Sequence, residues 1–166
     1  MKVACAGEVV MGKLIGNNKK KKQSGFRIES LADQVEAIRY LDDRIYEFNS
    51  SGLNIYDGEL FTKVIRDETG NIIAGITGWT WAMISEITLL WVKEEHRGHG
   101  LGEMLLKAAE EEIIKKGCRT IVVRSYSFQA PEFYEKNGYK TVYILNDFPD
   151  SYRHHTLVKR VSTLID

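Results

Sequence analysis

The segment Val92-Lys93-Glu94-Glu95-His96-Arg97-Gly98-His99-Gly100-Leu101-Gly102 concentrates the clearest chemistry in the chain: three glycines at alternate positions behind an arginine, between a β-prone run and a helical one. A helix start presents unpaired backbone N–H groups and the positive end of its dipole. Glycine lets the main chain approach a phosphate with no Cβ in the way. Arg97 adds a cation at the rim. The pattern therefore predicts an anion site for a phosphate-bearing ligand, since helix capping alone requires neither three glycines nor the arginine. A dinucleotide fingerprint is excluded, because Glu103 stands where the third glycine of G-x-G-x-x-G belongs. A Walker A loop is excluded as well, because no Gly-Lys-[Ser/Thr] opens the helix.

Other residues with chemical potential fit bland roles. His96 and His99 have H-x-x-H spacing but no third ligand nearby, so they are expected to be exposed, with no metal. Cys118 follows Gly117 at a helix–strand junction, the setting of a structural thiol. Trp79, Trp81 and Tyr56 either line a cleft or fill the core, and the sequence leaves both open.

The elements that must position the glycine turn follow from periodicity. A short strand is expected at 26–30. Leu31–Phe48 carries Val35, Ile38, Leu41 and Ile45 at helical spacing and ends at Asn49-Ser50-Ser51-Gly52. Leu60–Ile65 and Ile72–Trp79 flank the turn-forming Arg66–Asn71 and predict a hairpin, followed by a strand over Glu86–Val92. From Leu101 the period is helical again, with Glu111→Lys115 and Glu112→Lys116 as i,i+4 pairs and Gly117 as the stop. Thr120–Arg124 is β-prone, Pro131 opens a short helix that closes at Asn137-Gly138, and strands at 139–145 and 155–161 complete the chain. The order β-α-β-β-β-α-β-α-β-β predicts an α/β protein built on a mixed sheet.

Composition fits this picture. At 166 residues and 43% hydrophobic content the chain suits a single domain over 24–166, with 1–23 as a poorly ordered or accessory lead-in. The 23 Lys+Arg and 23 Asp+Glu leave no basic footprint for nucleic acid. Lys19–Lys22 read as a solvated segment. No apolar run approaches the roughly 18–20 residues that cross a bilayer, and no signal-peptide stretch stands at the start, so no membrane partner is expected. Cys5 and Cys118 form no CxxC pair, which suits a reducing, cytoplasmic setting.

At this point the residues resemble the GNAT N-acetyltransferase superfamily, whose acetyl-CoA signature [Q/R]-x-x-G-x-[G/A] is met by Arg97-Gly98-His99-Gly100-Leu101-Gly102. A second block, a strand and a short helix with a Phe-Tyr pair and a closing Asn-Gly-Tyr, resembles Thr120–Val123 through Gln129–Tyr139. The specific likeness covers about 86–143, and Asn146-Asp147-Phe148-Pro149 with His154–Arg160 looks like small bacterial members of unassigned substrate. The resemblance implies a three-layer sandwich, with a mostly antiparallel sheet of about six to seven strands and helices on both faces. It also implies an acetyl-CoA-dependent enzyme acting on a primary amine, with a small-molecule acceptor, no metal and a homodimer.

By the same resemblance, Leu90, Trp91 and Val92 run along the pantetheine arm, with the Leu90 N–H toward the thioester oxygen. Arg97, Gly98, His99, Gly100, Leu101 and Gly102 hold the pyrophosphate. Tyr134 is the general acid for the leaving thiolate. Glu86, eleven residues before Arg97, takes the position at which some histone acetyltransferases carry their base. Gln129 falls near a family asparagine that contacts the cofactor. A non-catalytic CoA-binding sensor on the same fold is the alternative; it would keep Arg97–Gly102 without needing Glu86 or Tyr134.

Overall fold

A computed structural model of the chain describes residues 27–32 and 34–162. Cys5, Lys19–Lys22 and the rest of the 1–23 lead-in lie outside the described residues, as does Phe26. Three helices and six strands follow in the order α1 (Val35–Leu53), β1 (Glu59–Arg66), β2 (Ile72–Trp81), β3 (Ile84–Val92), α2 (Leu101–Lys115), β4 (Thr120–Tyr126), α3 (Pro131–Lys136), β5 (Lys140–Leu145) and β6 (His154–Arg160). The strands form one open sheet in the order β1-β2-β3-β4-β6-β5, antiparallel except where β3 meets β4. This is the mixed, mostly antiparallel α/β architecture expected. Among the described residues no helix is long and apolar enough to cross a membrane.

Two expectations at the N-terminal end are corrected. Residues 27–30, placed in a strand by sequence, have no regular structure. The first helix starts at Val35 and runs through Asn49-Ser50-Ser51-Gly52 to Leu53, stopping where Asn54 adopts a left-handed conformation (φ 54°) and its N–H reaches the Ser50 and Ser51 carbonyls. The stripe that announced this helix, Ile38, Leu41 and Ile45, stays exposed. Burial comes instead from Tyr46 and Ser50, and the Tyr46 hydroxyl accepts the Gly58 N–H at 3.1 Å.

The core lies on the sheet face that carries α2 and α3. Ile76, Ile87, Ile121, Val123 and Leu157 point from four strands toward Leu105, Leu106, Ala109 and Ile113 of α2 and toward Tyr134 and Tyr139. Lys159 and Tyr139 both bond to Glu110 of α2, at 2.7 and 2.9 Å, tying β6 and the connection from α3 to β5 to that helix. Of the two predicted helical ion pairs, Glu112–Lys116 forms at 3.4 Å, and Glu112 also pairs with Lys63 of β1. Cys118 is buried with its thiol against the Ile84 carbonyl, and burial pushes its pKa up to about 11, the state of an inert thiol.

Candidate active site

The site is built on an interruption between two strands. β3 and β4 pair in parallel only over Ile84–Ile87 with Thr120–Val123, although β3 continues to Val92 and β4 to Tyr126. A β-bulge starts the divergence: Thr77 pairs with Leu89 and Gly78 with Ile87, leaving Thr88 as an extra residue on β3. A bulge bends and twists its strand. Beyond it, Thr88–Val92 and Arg124–Tyr126 face each other without a ladder between them, so the main chain of 88–92 has free hydrogen-bonding groups toward the gap. Gly78 makes the bulge sterically feasible. A Cβ there would collide with the Glu86 carbonyl oxygen and come within 2.6 Å of the Phe61 ring.

At the end of β3 the chain turns once through Glu94–His96 and reaches the glycine turn. Gly98 and Gly100 both have φ of +78°, a left-handed conformation that favours glycine, while a Cβ at either would meet nothing within 4 Å. The glycines are therefore required by backbone conformation rather than by crowding within the protein. No side chain caps α2, whose first closing bond is the Met104 N–H to the Gly100 carbonyl at 3.0 Å, so the N–H groups of its first turn point outward unpaired. Arg97 folds back, its Nε donating to the Val92 carbonyl at 3.1 Å, which fixes an exposed guanidinium at the rim. A Cβ at Gly102 would come into ordinary van der Waals contact with the Phe133 ring and Val92, so the start of α2 runs close to α3. His96 and His99 lie in this turn, His99 exposed and His96 half-buried.

Strand register sorts the remaining residues by face. On β3, Leu90 and Val92 pack toward the core, whereas Leu89 and Trp91 are exposed on the opposite, open face. Glu86 also belongs to the open face, opposite Trp79 on β2 and Val122 on β4. Its side chain is 16% exposed, and an Arg124 Nη2 lies 3.3 Å from Oε1. Burial raises the Glu86 carboxyl above the ordinary carboxylate range, and the Arg124 charge pulls it partly back. This half-desolvated carboxylate stands one rung before the last β3–β4 pair, Ile87 with Val123, and a carboxyl in such a setting can accept a proton.

Tyr134 lies on the other side of the sheet, in the core with Phe133 and Tyr139 around its ring. Burial pushes its phenol up to about 12. That is well above the roughly 8.5 of a free thiol, so the phenol keeps its proton and remains a hydrogen-bond donor. Gln129 closes the turn after β4: its Oε1 accepts the Tyr126 N–H at 2.9 Å, while its own N–H reaches the Tyr126 carbonyl. Trp79 is buried beside Glu86, and Trp81 donates to the Ile55 carbonyl at 3.2 Å. Tyr56 is exposed.

Sequence reasoning missed three contributors. Arg124 is the one charged residue inside the β-run Thr120–Tyr126, and it sits two residues past Val122, the partner of Glu86; that alternation was the available signal. His154 lies opposite Tyr126 at the end of the open face, with ring centroids 4.5 Å apart, and burial followed by the Arg124 charge lowers its pKa. Gly78 is one of two glycines inside β2, with Gly75, and a glycine within a strand marks close backbone approach.

With this geometry in hand, the likenesses to known proteins are specific. Residues 57–141 match the family model described as the acetyltransferase (GNAT) domain. A blasticidin-S acetyltransferase of Streptomyces morookaense is 34% identical over 107 residues, covering 62% of this chain and 76% of its own length. The crystal structure of an acetyltransferase from Bacillus cereus superposes with a TM-score of 0.68 at 33% identity, over 81% of this chain and 98% of that one. An aminoglycoside 6'-N-acetyltransferase solved with coenzyme A shares the fold, with a TM-score of 0.57 at 20% identity, over 65% of this chain and 76% of that one.

Proposed function

Because the chain belongs to the GNAT acetyltransferase family, we propose that it acetylates a primary amine of a small molecule, the amine attacking acetyl-CoA directly while both substrates are bound. The observation that carries this reading is the gap between β3 and β4, which has the Glu86 carboxylate beside it and leads along the chain into an uncapped helix start.

The residues fit the cosubstrate, which supplies an acetyl group activated as a thioester. Main-chain N–H groups over Gly98–Gly102 receive the pyrophosphate, with Arg97, whose own N–H is taken by the Glu94 carbonyl at 3.1 Å, as counter-charge. Leu90, Trp91 and Val92 pair with β2 but have no β4 partner, and the backbone groups this leaves toward the gap align the pantetheine arm, with the Leu90 N–H stabilising the oxyanion. Glu86 takes the ammonium proton and frees the attacking lone pair. Tyr134 stabilises the departing sulfur by hydrogen bonding. Gln129, with its oxygen committed to Tyr126, has only its amide N–H₂ to offer the cosubstrate.

A small-molecule acceptor is supported by the Streptomyces relative, named for acetylating blasticidin S. Family likeness supports a homodimer, which sedimentation showing only monomer at micromolar concentration would remove. A cytoplasmic location rests on cysteine usage. The direct test of the function is calorimetric titration with acetyl-CoA and CoA, followed by turnover on a broad amine panel. Binding and turnover support the reading. Protein that neither binds acetyl-CoA nor acetylates any amine overturns it.

A further inference from the structure

Arg124 is more than the counter-ion of Glu86. Only its Nη2 approaches Glu86, at 3.3 Å to Oε1 and 3.5 Å to Oε2, longer than the roughly 2.7–2.9 Å of a tight charge-assisted bond. Among the described residues its Nε and Nη1 meet no protein acceptor, and 49% of the side chain is exposed. It is the first residue of β4 past the last rung shared with β3, so it stands at the mouth of the gap.

The surroundings favour an anion there. The registers of β3 to β6 place Arg124, Lys140 and Arg160 on the open face, with Glu86 the sole carboxylate that these four strands put on it. Arg160 is engaged with Thr120 at 2.6 Å. His154, held toward its neutral form, adds a ring rather than a charge, and with Tyr126 and Phe148 it walls the end of the face beyond Arg124.

The Glu86–Arg124 pair also has the dimensions of a zwitterion. In an α- or β-amino acid the ammonium nitrogen and a carboxylate oxygen lie on the order of 3 Å apart by standard bond lengths, close to the 3.3 Å between the two side chains. Such a molecule laid antiparallel to the pair sets its ammonium on Glu86 and its carboxylate on the unused guanidinium edge. A guanidinium takes a carboxylate in bidentate geometry. We propose that Arg124 binds the carboxylate of an acceptor that carries an amine and a carboxylate close together, an amino-acid-like small molecule. This rests on the acetyltransferase reading and names its substrate class.

The test compares free α- and β-amino acids with their own amides, together with carboxylate-free amines of similar size. Release of CoA thiol is followed with wild type, Arg124→Gln and Arg124→Lys. Loss of a charge-assisted pair corresponds to about ten- to a hundredfold. Wild type should therefore favour at least one acid over its amide by tenfold or more in kcat/KM. Arg124→Gln should collapse that ratio toward one, through KM for the acid, and Arg124→Lys should restore part of it. A change in Glu86 basicity would move acid and amide together, so the ratio isolates recognition. Unchanged acetyl-CoA binding by the variants shows that fold and donor site persist. Equal use of acid and amide, a ratio that survives in Arg124→Gln, or turnover confined to carboxylate-free amines overturns the proposal while leaving the acetyltransferase reading intact. Failure to acetylate anything on this panel overturns the proposal, and failure of the wild type to bind acetyl-CoA as well overturns both.

Discussion

The two halves of the β3–β4 pair have opposite fates although they belong to the same strands. Over Ile84–Ile87 and Thr120–Val123 the ladder is closed, and Ile87, Ile121 and Val123 are buried in the core. Past Thr88 the strands part, the backbone is unpaired toward the gap, and the side chains nearby are Leu89, Trp91 and Arg124, all exposed. One extra residue separates structure from site. A closed ladder satisfies its own hydrogen bonds and offers nothing to a ligand, whereas an interrupted one keeps rigid donors and acceptors at fixed positions.

The most damaging way to break that contrast is at Gly78, opposite the bulge. Gly78→Val drives a branched side chain into the Glu86 carbonyl and the Phe61 ring. We expect a loss of about 3–5 kcal/mol of stability in urea unfolding, and a near-wild-type midpoint would show that the bulge does not depend on this glycine. Next, at the open end, Arg97→Ala combined with Gly100→Trp removes a cation and forces a large residue into a left-handed position. Acetyl-CoA affinity by calorimetry should fall at least about a hundredfold, the scale of losing two charge-assisted hydrogen bonds.

Tyr134→Phe tests the closed face. The hydroxyl is removed while the buried ring stays, so kcat should drop by about a hundredfold with little change in KM or melting temperature. Unchanged turnover would return Tyr134 to the core alone. On the open face, Glu86→Gln should lower kcat/KM by about tenfold or more. The pH profile gives the sharper reading. Because burial raises the Glu86 carboxyl, wild-type activity should climb with pH through a limb above the unperturbed carboxylate value of about 4.3, as the base loses its proton, and the variant should lack that limb. The smallest effect is expected at the closed end, where Cys118→Ala should cost about 1 kcal/mol of stability and leave turnover unchanged.

Much of this was legible in the residues alone. The glycine turn after a β-run and before a helical one announced the uncapped start of α2, because left-handed backbone and a helix start without a side-chain cap are local consequences of Gly98, Gly100 and the residues that follow. Alternation and helical spacing placed the strands from Glu59 onward and both later helices to within a few residues of their observed bounds. The first helix was announced by Ile38, Leu41 and Ile45, yet these stay exposed while Tyr46 and Ser50 are buried, since periodicity marks a stripe but not what covers it.

What only the tertiary structure decided is long-range. Glu86, Trp79 and Arg124 come from three different strands, and their meeting depends on register, which a single bulge shifts by one residue and so moves side chains from one face to the other. The Tyr134 pKa and the unused donors of Arg124 likewise arise from burial and from neighbours far away in sequence. Local pattern determines which backbone conformations the chain adopts, but side-chain chemistry at a site depends on which strands meet and in what register.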